Sequence, residues 1–378
     1  MIESLQISNF KCIRDLDLSL TSVNMLAGLN GMGKSTCIQS LLLMHQSHRE
    51  HTPPLGQLVR NGAWTSLGTP QDILWEAAET EEITFGLTFG KTTGPLALQF
   101  TLDKQLDEFV NSNQASLSIP TDHGIFTDKL HYLRAERTGP QTSFPTSNSQ
   151  VRIHHQLGRD GEYAAQFLSE YGENEVVNEA VRHPDASSPQ LRHQVEAWLG
   201  EISPGTRLYA ESHSSLDRVS LHYAFQTGRG ETNRYRATNV GFGLSYLLPI
   251  ITLALGAPQG SLLLIENPEA HIHPHGQMQI GRLLALATSS DLQIILETHS
   301  DHILNGLRLA VHEKLITPGD VALHYFERQI EADSNHTTVT SPQIDENGRL
   351  DRWPDGFFDQ SEKALRKLLI PASHSRKK

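Results

Sequence analysis

Cysteine is almost missing: Cys12 and Cys37 are the only two in the chain, so no disulfide framework can hold it together and a reducing compartment fits best. Long apolar runs are missing too. The longest, Leu247 to Leu255, falls well short of the roughly 20 residues that a membrane helix needs. The N-terminal Met1-Ile-Glu-Ser has no basic stretch followed by an apolar one, and we expect an unexported, cytoplasmic chain without a membrane partner. Positive charge is in deficit, with 31 Lys and Arg against 43 Asp and Glu and a net charge of -12. The average field therefore repels nucleic acid and anionic lipid, and contact with either would need a local basic face. The one basic cluster, Arg376-Lys377-Lys378, follows Pro371 and reads as a solvated tail. No internal repeat is visible, nor a heptad run long enough for a coiled-coil arm. What the chain does have is apolar content, 38% of 378 residues, enough to bury one large core or two modest ones without a metal or disulfide staple.

The pattern along the chain predicts an α/β fold. Ile2, Leu5, Ile7 and Phe10, then Ile13, Leu16, Leu18 and Leu20, alternate as a strand pair would. A third strand, Val23 to Leu26, runs into a glycine-rich loop, and Lys34 to Gln46 has helical spacing. Two strands at Ile83 to Phe89 and Leu96 to Leu102 suggest an antiparallel flank. A further strand covers Leu130 to Arg134. Helical patterning follows at Tyr163 to Tyr171, Glu173 to His183 and Leu191 to Leu199, and strands return at Arg207 to Ala210, Val219 to Phe225 and Tyr235 to Val240. From Gly241 onward, helices alternate with the apolar strands Ser261 to Glu266 and Gln293 to Glu297. That alternation implies a mostly parallel sheet covered on both faces. The expected division is residues 1–140 and 207–330 as two parts of one nucleotide-binding unit, 141–206 as a helical insertion and 331–378 as a C-terminal extension.

The loop Gly28-Leu29-Asn30-Gly31-Met32-Gly33-Lys34-Ser35 matches the P-loop pattern in full, between a predicted strand and a predicted helix. Its glycines let successive backbone N–H groups turn inward around a phosphate, and the following helix start adds positive potential. Lys34 is placed to bridge β and γ oxygens, and Ser35 to put a hydroxyl on Mg²⁺. ATP with Mg²⁺ is the expected ligand. Further along, Leu262 to Ile265 is a buried strand ending in Glu266-Asn-Pro-Glu269-Ala-His-Ile-His-Pro274, and an acid at such a strand end is where a P-loop enzyme holds magnesium. A second apolar strand delivers Glu297-Thr-His299-Ser to the same edge. Upstream, Asn239-Val-Gly241-Phe-Gly243-Leu-Ser245 opens a helix with paired glycines and a serine, a second helix start suited to an anion.

These segments, together with the opening Ile7-Ser-Asn-Phe-Lys11, occur in the order of an ABC-type ATPase head. The chain resembles the bacterial AAA-domain ATPases related to the SMC, RecF and OLD-family heads, including members whose C-terminal domain of unknown function carries Trp-Pro-x-Gly-Phe-Phe, here Trp353 to Phe358. The resemblance implies that Gly28 to Thr36 is Walker A, Glu266 the Walker B acid and His299 the switch histidine. It further implies that Gly241, Gly243 and Ser245 form the signature reaching the γ-phosphate of a second subunit, with Ala270 to His273 at the seam. Head-to-head homodimers or higher homo-oligomers around ATP, and a separate effector such as a nuclease or toxin, follow from the same likeness, in antiphage defence or DNA metabolism.

Two positions depart from that pattern. Glu266 stands where aspartate is usual, and Asn267 stands where a glutamate normally polarises water; an amide cannot take up that proton near neutral pH. Either hydrolysis is slow or another carboxylate substitutes, with Glu269 and Glu297 as candidates and Glu297 preferred; the plainer alternative is that both only support neighbouring groups. A non-hydrolysing scaffold and a transporter ATPase are the competing functions. Gln71 is a candidate magnesium contact, weighed against a plain surface turn. Arg137 is either a turn-former or a phosphate sensor. His271, His273 and His275 are spaced for a metal on an extended segment, but no cysteine is near and the seam loop already accounts for them. Trp353 to Phe358 reads as an apolar plug, with a partner-docking patch as the alternative.

Overall fold

A computed structural model describes residues 1–51, 54–90, 93–113, 119–331 and 335–369; the basic cluster at 376–378 and Pro53 lie outside the described residues. The first part of the chain forms β1 (Ile2–Phe10), β2 (Ile13–Ser19), β3 (Val23–Gly28), α1 (Lys34–Glu50), the short α2 (Pro70–Ile73), β4 (Glu82–Phe89), β5 (Thr93–Asp103), β6 (Glu108–Asn111) and β7 (Leu130–Leu133). The middle carries β8 (Phe144–Pro145), α3 (Ala164–Tyr171), α4 (Leu191–Gly200), β9 (Thr206–His213), β10 (Arg218–Thr227), β11 (Gly230–Glu231) and β12 (Tyr235–Arg236). The last part adds α5 (Phe242–Gly256), β13 (Leu262–Glu266), α6 (Pro274–Ala287), β14 (Gln293–Glu297), α7 (Asp301–His312), β15 (Val321–Ile330), β16 (Asn335–Thr340) and α8 (Gln360–Leu368).

One six-stranded sheet, in the order β16-β15-β3-β14-β13-β7, organises the site. All its pairings are parallel except β15 with β16. Its central strands are mostly apolar because both faces are covered, with Asn24 of β3 a buried exception whose amide donates to the Thr21 and Ile294 carbonyls. Val23, Met25, Leu263, Ile265, Ile294 and Leu296 face the core shared with α5, α6 and α7. Leu26, Leu262, Leu264 and Ile295 face the other core, where Ile38, Leu41 and Leu42 of α1 pack. Period two within each strand thus decides which of two cores a side chain enters. The antiparallel sheet β2-β1-β4-β5-β6 lies over α1 and shares that second core. A third sheet gathers β8, β9, β11 and β12 around β10.

The fold class expected from the sequence is the one observed. Two local expectations fail. Glu173 to His183 is not a helix: it holds only a single tight turn, Glu179–Val181. There the Asn178 side chain accepts from the Ala180 amide, and Glu175 bridges to Gln190. Side chain to backbone bonds of this kind compete with helix formation. The expected strand Tyr235 to Val240 pairs only over Tyr235–Arg236 and then tightens into the turn Ala237–Asn239, which aims the chain into α5.

Candidate functional site

Strand β3 ends at the C-terminal edge of the parallel sheet, where ligands of such sheets bind. Gly28 (φ 140°) and Gly33 (φ 104°) hold backbone conformations closed to ordinary side chains. A Cβ at Gly28 would stand 2.4 Å from the Phe326 carbonyl oxygen, and one at Gly33 would stand 2.8 Å from Thr337 Oγ1. Gly33 caps α1 without a side-chain hydrogen bond, and no acid occupies the first turn. The first amides of α1 are therefore free of side-chain caps, as a helix start that receives phosphate must be.

Lys34 is only 2% exposed. Its Nζ donates to the Gly28 carbonyl at 3.0 Å and the Leu29 carbonyl at 2.8 Å, and lies 3.7 Å from Glu297 Oε1. Burial lowers its pKa from the usual lysine range, with Glu297 acting in the opposite direction. Ser35 follows at the helix start, and Thr36 is buried with its hydroxyl 3.6 Å from Cys12 Sγ.

Parallel pairing sets Glu266 of β13 directly beside Glu297 of β14, and Glu297 beside Leu26 of β3. Both carboxylates thus reach the edge at which the loop begins. Glu266 accepts from the Tyr132 hydroxyl and from the Ala135 amide, each at 3.1 Å. Burial, and next the adjacent Glu297, push its carboxyl above the ordinary range. Glu297 is 6% exposed, and its Oε2 has no hydrogen-bond partner among the described residues. A buried carboxylate oxygen without a donor is costly unless a cation, a water or a proton meets it. Carboxylate and hydroxyl oxygens such as those of Glu266 and Ser35 are hard donors that would suit Mg²⁺ completed by phosphate oxygens.

Glu269 is differently placed. Thr298 Oγ1 donates to one of its oxygens at 2.7 Å and the His299 amide to the other at 2.8 Å, so it ties the turn after β14. Asn267 adopts φ 44° and donates its amide to the Glu297 carbonyl at 2.8 Å. Arg137, 3% exposed, donates to the Glu266 and Asn267 carbonyls, both at 2.6 Å. Its guanidinium is pulled down to about 10 by burial, against the pull of Glu269. It acts on the main chain of the Glu266 turn. His299 is exposed. With Gly28, Leu29, Asp301, Tyr325, Gly356, Phe357 and Phe358 it lines a cavity of about 330 Å³ at the start of the loop. Of the Trp353 to Phe358 run, Phe357 is 1% exposed and edge-on to Tyr325 at 5.3 Å, whereas Trp353 is 49% exposed.

The signature segment lies elsewhere. Gly241 caps α5, Phe242 is 60% exposed, and Gly243 packs against the His271 carbonyl. Gly241, Gly243 and His271 line a separate cavity of about 460 Å³ that shares no residue with the loop cavity. Ser245, expected to present its hydroxyl at this surface, is 5% exposed and sits in the core beside Tyr223. Ser245 lies on the face of α5 that carries Leu244 and Leu248 into the core. Gln71 is exposed on α2, and among the described residues no hydrogen bond joins it to Ser35 or Glu266. The three seam histidines have separate neighbours: His271 faces Phe242 and Tyr246, His273 caps α6, and His275 lies 3.6 Å from Glu201. Sequence reasoning missed Tyr132, Arg328 and Thr337, whose contacts to the site come from distant strands and leave no local signal.

The sheet, the loop and the paired strand-end acids define a P-loop NTPase with the fold of ABC and SMC heads. An SMC head bound to the C-terminal winged-helix domain of ScpA superposes with a TM-score of 0.52 at 12% identity, over 90% of this chain and 98% of that one. The Smc head with an extended coiled coil, bound to the C-terminal domain of ScpA from Pyrococcus furiosus, gives 0.50 at 12% identity, over 98% and 99%. At such identity the likeness concerns the fold alone. Residues 23–305 match the family described as "AAA domain, putative AbiEii toxin, Type IV TA system", and the chain belongs to that family. Residues 316–368 match a "Protein of unknown function (DUF3696)". An OLD nuclease from Thermus scotoductus (strain ATCC 700910 / SA-01) is 24% identical over 337 residues, 79% of this chain; the chain spans 59% of that protein's length. Among the described residues no helix is long and apolar enough to cross a membrane.

Proposed function

We propose that this chain is a slow, cytoplasmic Mg²⁺-dependent ATPase whose two copies associate head to head around bound ATP, and that the closed pair controls a separate effector in antiphage defence or DNA metabolism. The observation that carries the catalytic half is the unpartnered Oε2 of Glu297 beside Lys34. In this reading Lys34 and the loop amides hold the β and γ phosphates, while Ser35 and Glu266 hold Mg²⁺, which supplies charge neutralisation on the phosphate oxygens. Glu297 takes the proton of the attacking water, the task that Asn267 cannot perform. Glu269 keeps His299 at the γ-phosphate end by holding its amide. Arg137 fixes the turn that carries Glu266.

The dimeric half rests on the separation of two edges. Gly241, Phe242 and Gly243 form an exposed helix start with no phosphate loop opposite it in the same chain, so a nucleotide-bound loop from a second copy is its natural complement. Phe242 and Gly243 replace Ser245 as the residues that would meet it. The toxin-related family and the OLD nuclease relative support a defence setting. Light scattering of Glu297→Gln with and without MgATP tests the proposal, with phosphate release by the wild type measured beside it. A doubled mass with ATP, and wild-type release above the Lys34→Ala background, are expected. Unchanged mass removes the dimer. Release no faster than background leaves a non-hydrolysing scaffold, the second reading, which Asn267 favours.

A further inference from the structure

The segment of unknown function, residues 316–368, is continuous with the nucleotide site. Its strand β15 runs parallel to β3 over the whole of that strand, ending with Phe326 opposite Gly28. Beyond Phe326, β15 continues past the sheet edge and β16 returns antiparallel to it, so that the hairpin overhangs the phosphate loop. Arg328 and Thr337 are directly opposite one another in this hairpin. Arg328 Nη2 donates to the Gly31 carbonyl at 2.8 Å, and Thr337 Oγ1 donates to the Met32 carbonyl at 3.0 Å. One cross-strand pair thus holds two consecutive carbonyls of the loop. The hairpin is fixed in turn to the antiparallel sheet region. The Thr337 amide donates to the Cys12 carbonyl at 3.1 Å, and Trp75 Nε1 donates to the Asn335 carbonyl at 3.2 Å.

A loop that turns its amides inward toward phosphate must turn carbonyls outward. Left to water, those carbonyls exchange partners and the peptide planes rotate. Held by fixed donors, they keep the amides aimed before any ligand arrives, which is preorganisation.

We infer that the C-terminal hairpin is a clamp on the phosphate loop and that Arg328 and Thr337 are positioning residues for triphosphate binding. The inference rests on the ATP reading above and gives the segment of unknown function a task within it. It also predicts a ligand dependence. A clamp on the phosphate loop affects every ligand through its phosphates, whereas a wall of the nucleoside pocket affects only ligands that carry a nucleoside.

Calorimetric titration of the full chain with MgATP, and separately with inorganic triphosphate and Mg²⁺, tests this in the wild type, Arg328→Ala, Thr337→Val and Thr337→Ser. Arg328→Ala and Thr337→Val are each expected to weaken both ligands by about tenfold and by the same factor, with the melting temperature unchanged in Arg328→Ala; the loss of one charge-assisted or buried hydrogen bond sets that scale. Thr337→Ser keeps the donor and should bind as the wild type does. Arg328 is exposed, so Arg328→Ala decides the matter if Thr337→Val fails to fold. Wild-type affinity for both ligands in Arg328→Ala overturns the clamp while leaving the ATP reading intact. Loss of ATP affinity alone, with triphosphate unaffected, also overturns it. A wild type that binds neither ligand overturns the ATP reading and the clamp with it.

Discussion

The loop edge and the signature edge of this molecule are built in opposite ways. At the loop edge nearly every polar group is tied within the chain: Lys34 to two carbonyls, Glu266 to Tyr132 and Ala135, Glu269 to Thr298 and His299, and the Glu266 turn to Arg137. At the signature edge Gly241 and Phe242 are exposed, and the Phe242 ring, 60% open to solvent, approaches His271 at 6.0 Å. The first edge is finished for a small, highly charged ligand. The second is finished only if something else arrives. Changes at one edge should therefore separate cleanly from changes at the other.

The largest effect is expected from Lys34→Ala, which removes the cation proposed to face the β and γ oxygens. Calorimetry should show MgATP affinity falling on the order of a hundredfold, and ATP-dependent association should vanish with it. Glu297→Gln should lower phosphate release by about a hundredfold or more while ATP still binds. Glu269→Gln, whose oxygens hold a turn, should cost less in the same release assay, and equal losses would break the distinction drawn between the two acids. Phe242→Asp acts on the other edge: sedimentation should show an ATP-loaded monomer, with nucleotide affinity within about twofold of wild type. A loss of ATP affinity in that variant would mean the edges are not independent.

The smallest effect is in pH. Glu266 binds its proton more readily than an ordinary carboxylate, because burial and the neighbouring Glu297 disfavour its charge. A cation at that oxygen displaces the proton, so MgATP affinity should rise with pH through the raised pKa and level off above it. The empty chain has the opposite sign. A raised acid stabilises the fold fully below the unfolded carboxylate range and loses that contribution as pH rises through the folded value. Proton release on binding, measured in buffers of different ionisation enthalpy, checks this, and none at any pH would contradict it.

The central sheet could be read from the sequence because its strands carry uninterrupted apolar runs such as Leu262 to Ile265, and because an acid or a glycine loop marks where each run reaches the edge. The phosphate loop was legible for the same reason: its chemistry requires contiguous residues. The burial of Ser245 was not legible because the helix phase depends on which residue caps α5, and in Asn-Val-Gly-Phe-Gly-Leu-Ser two glycines compete for that place. Glu173 to His183 has helical spacing, but Asn178 closes a local turn first. Arg328 and Thr337 were invisible, since their importance comes from a hairpin register against loop carbonyls 297 and 305 residues earlier in the chain. Local pattern reports which face a residue takes, and only folding reports whose backbone it touches.

The two carbonyls that hold Lys34 have a consequence for selectivity among ions. An incoming anion must first take the ammonium away from oxygens that already satisfy it, so part of the lysine's attraction is spent on that exchange. A ligand long enough to reach the helix amides and the lysine together gains more from the same exchange. The resting pocket should therefore favour longer phosphate chains over monomeric oxyanions.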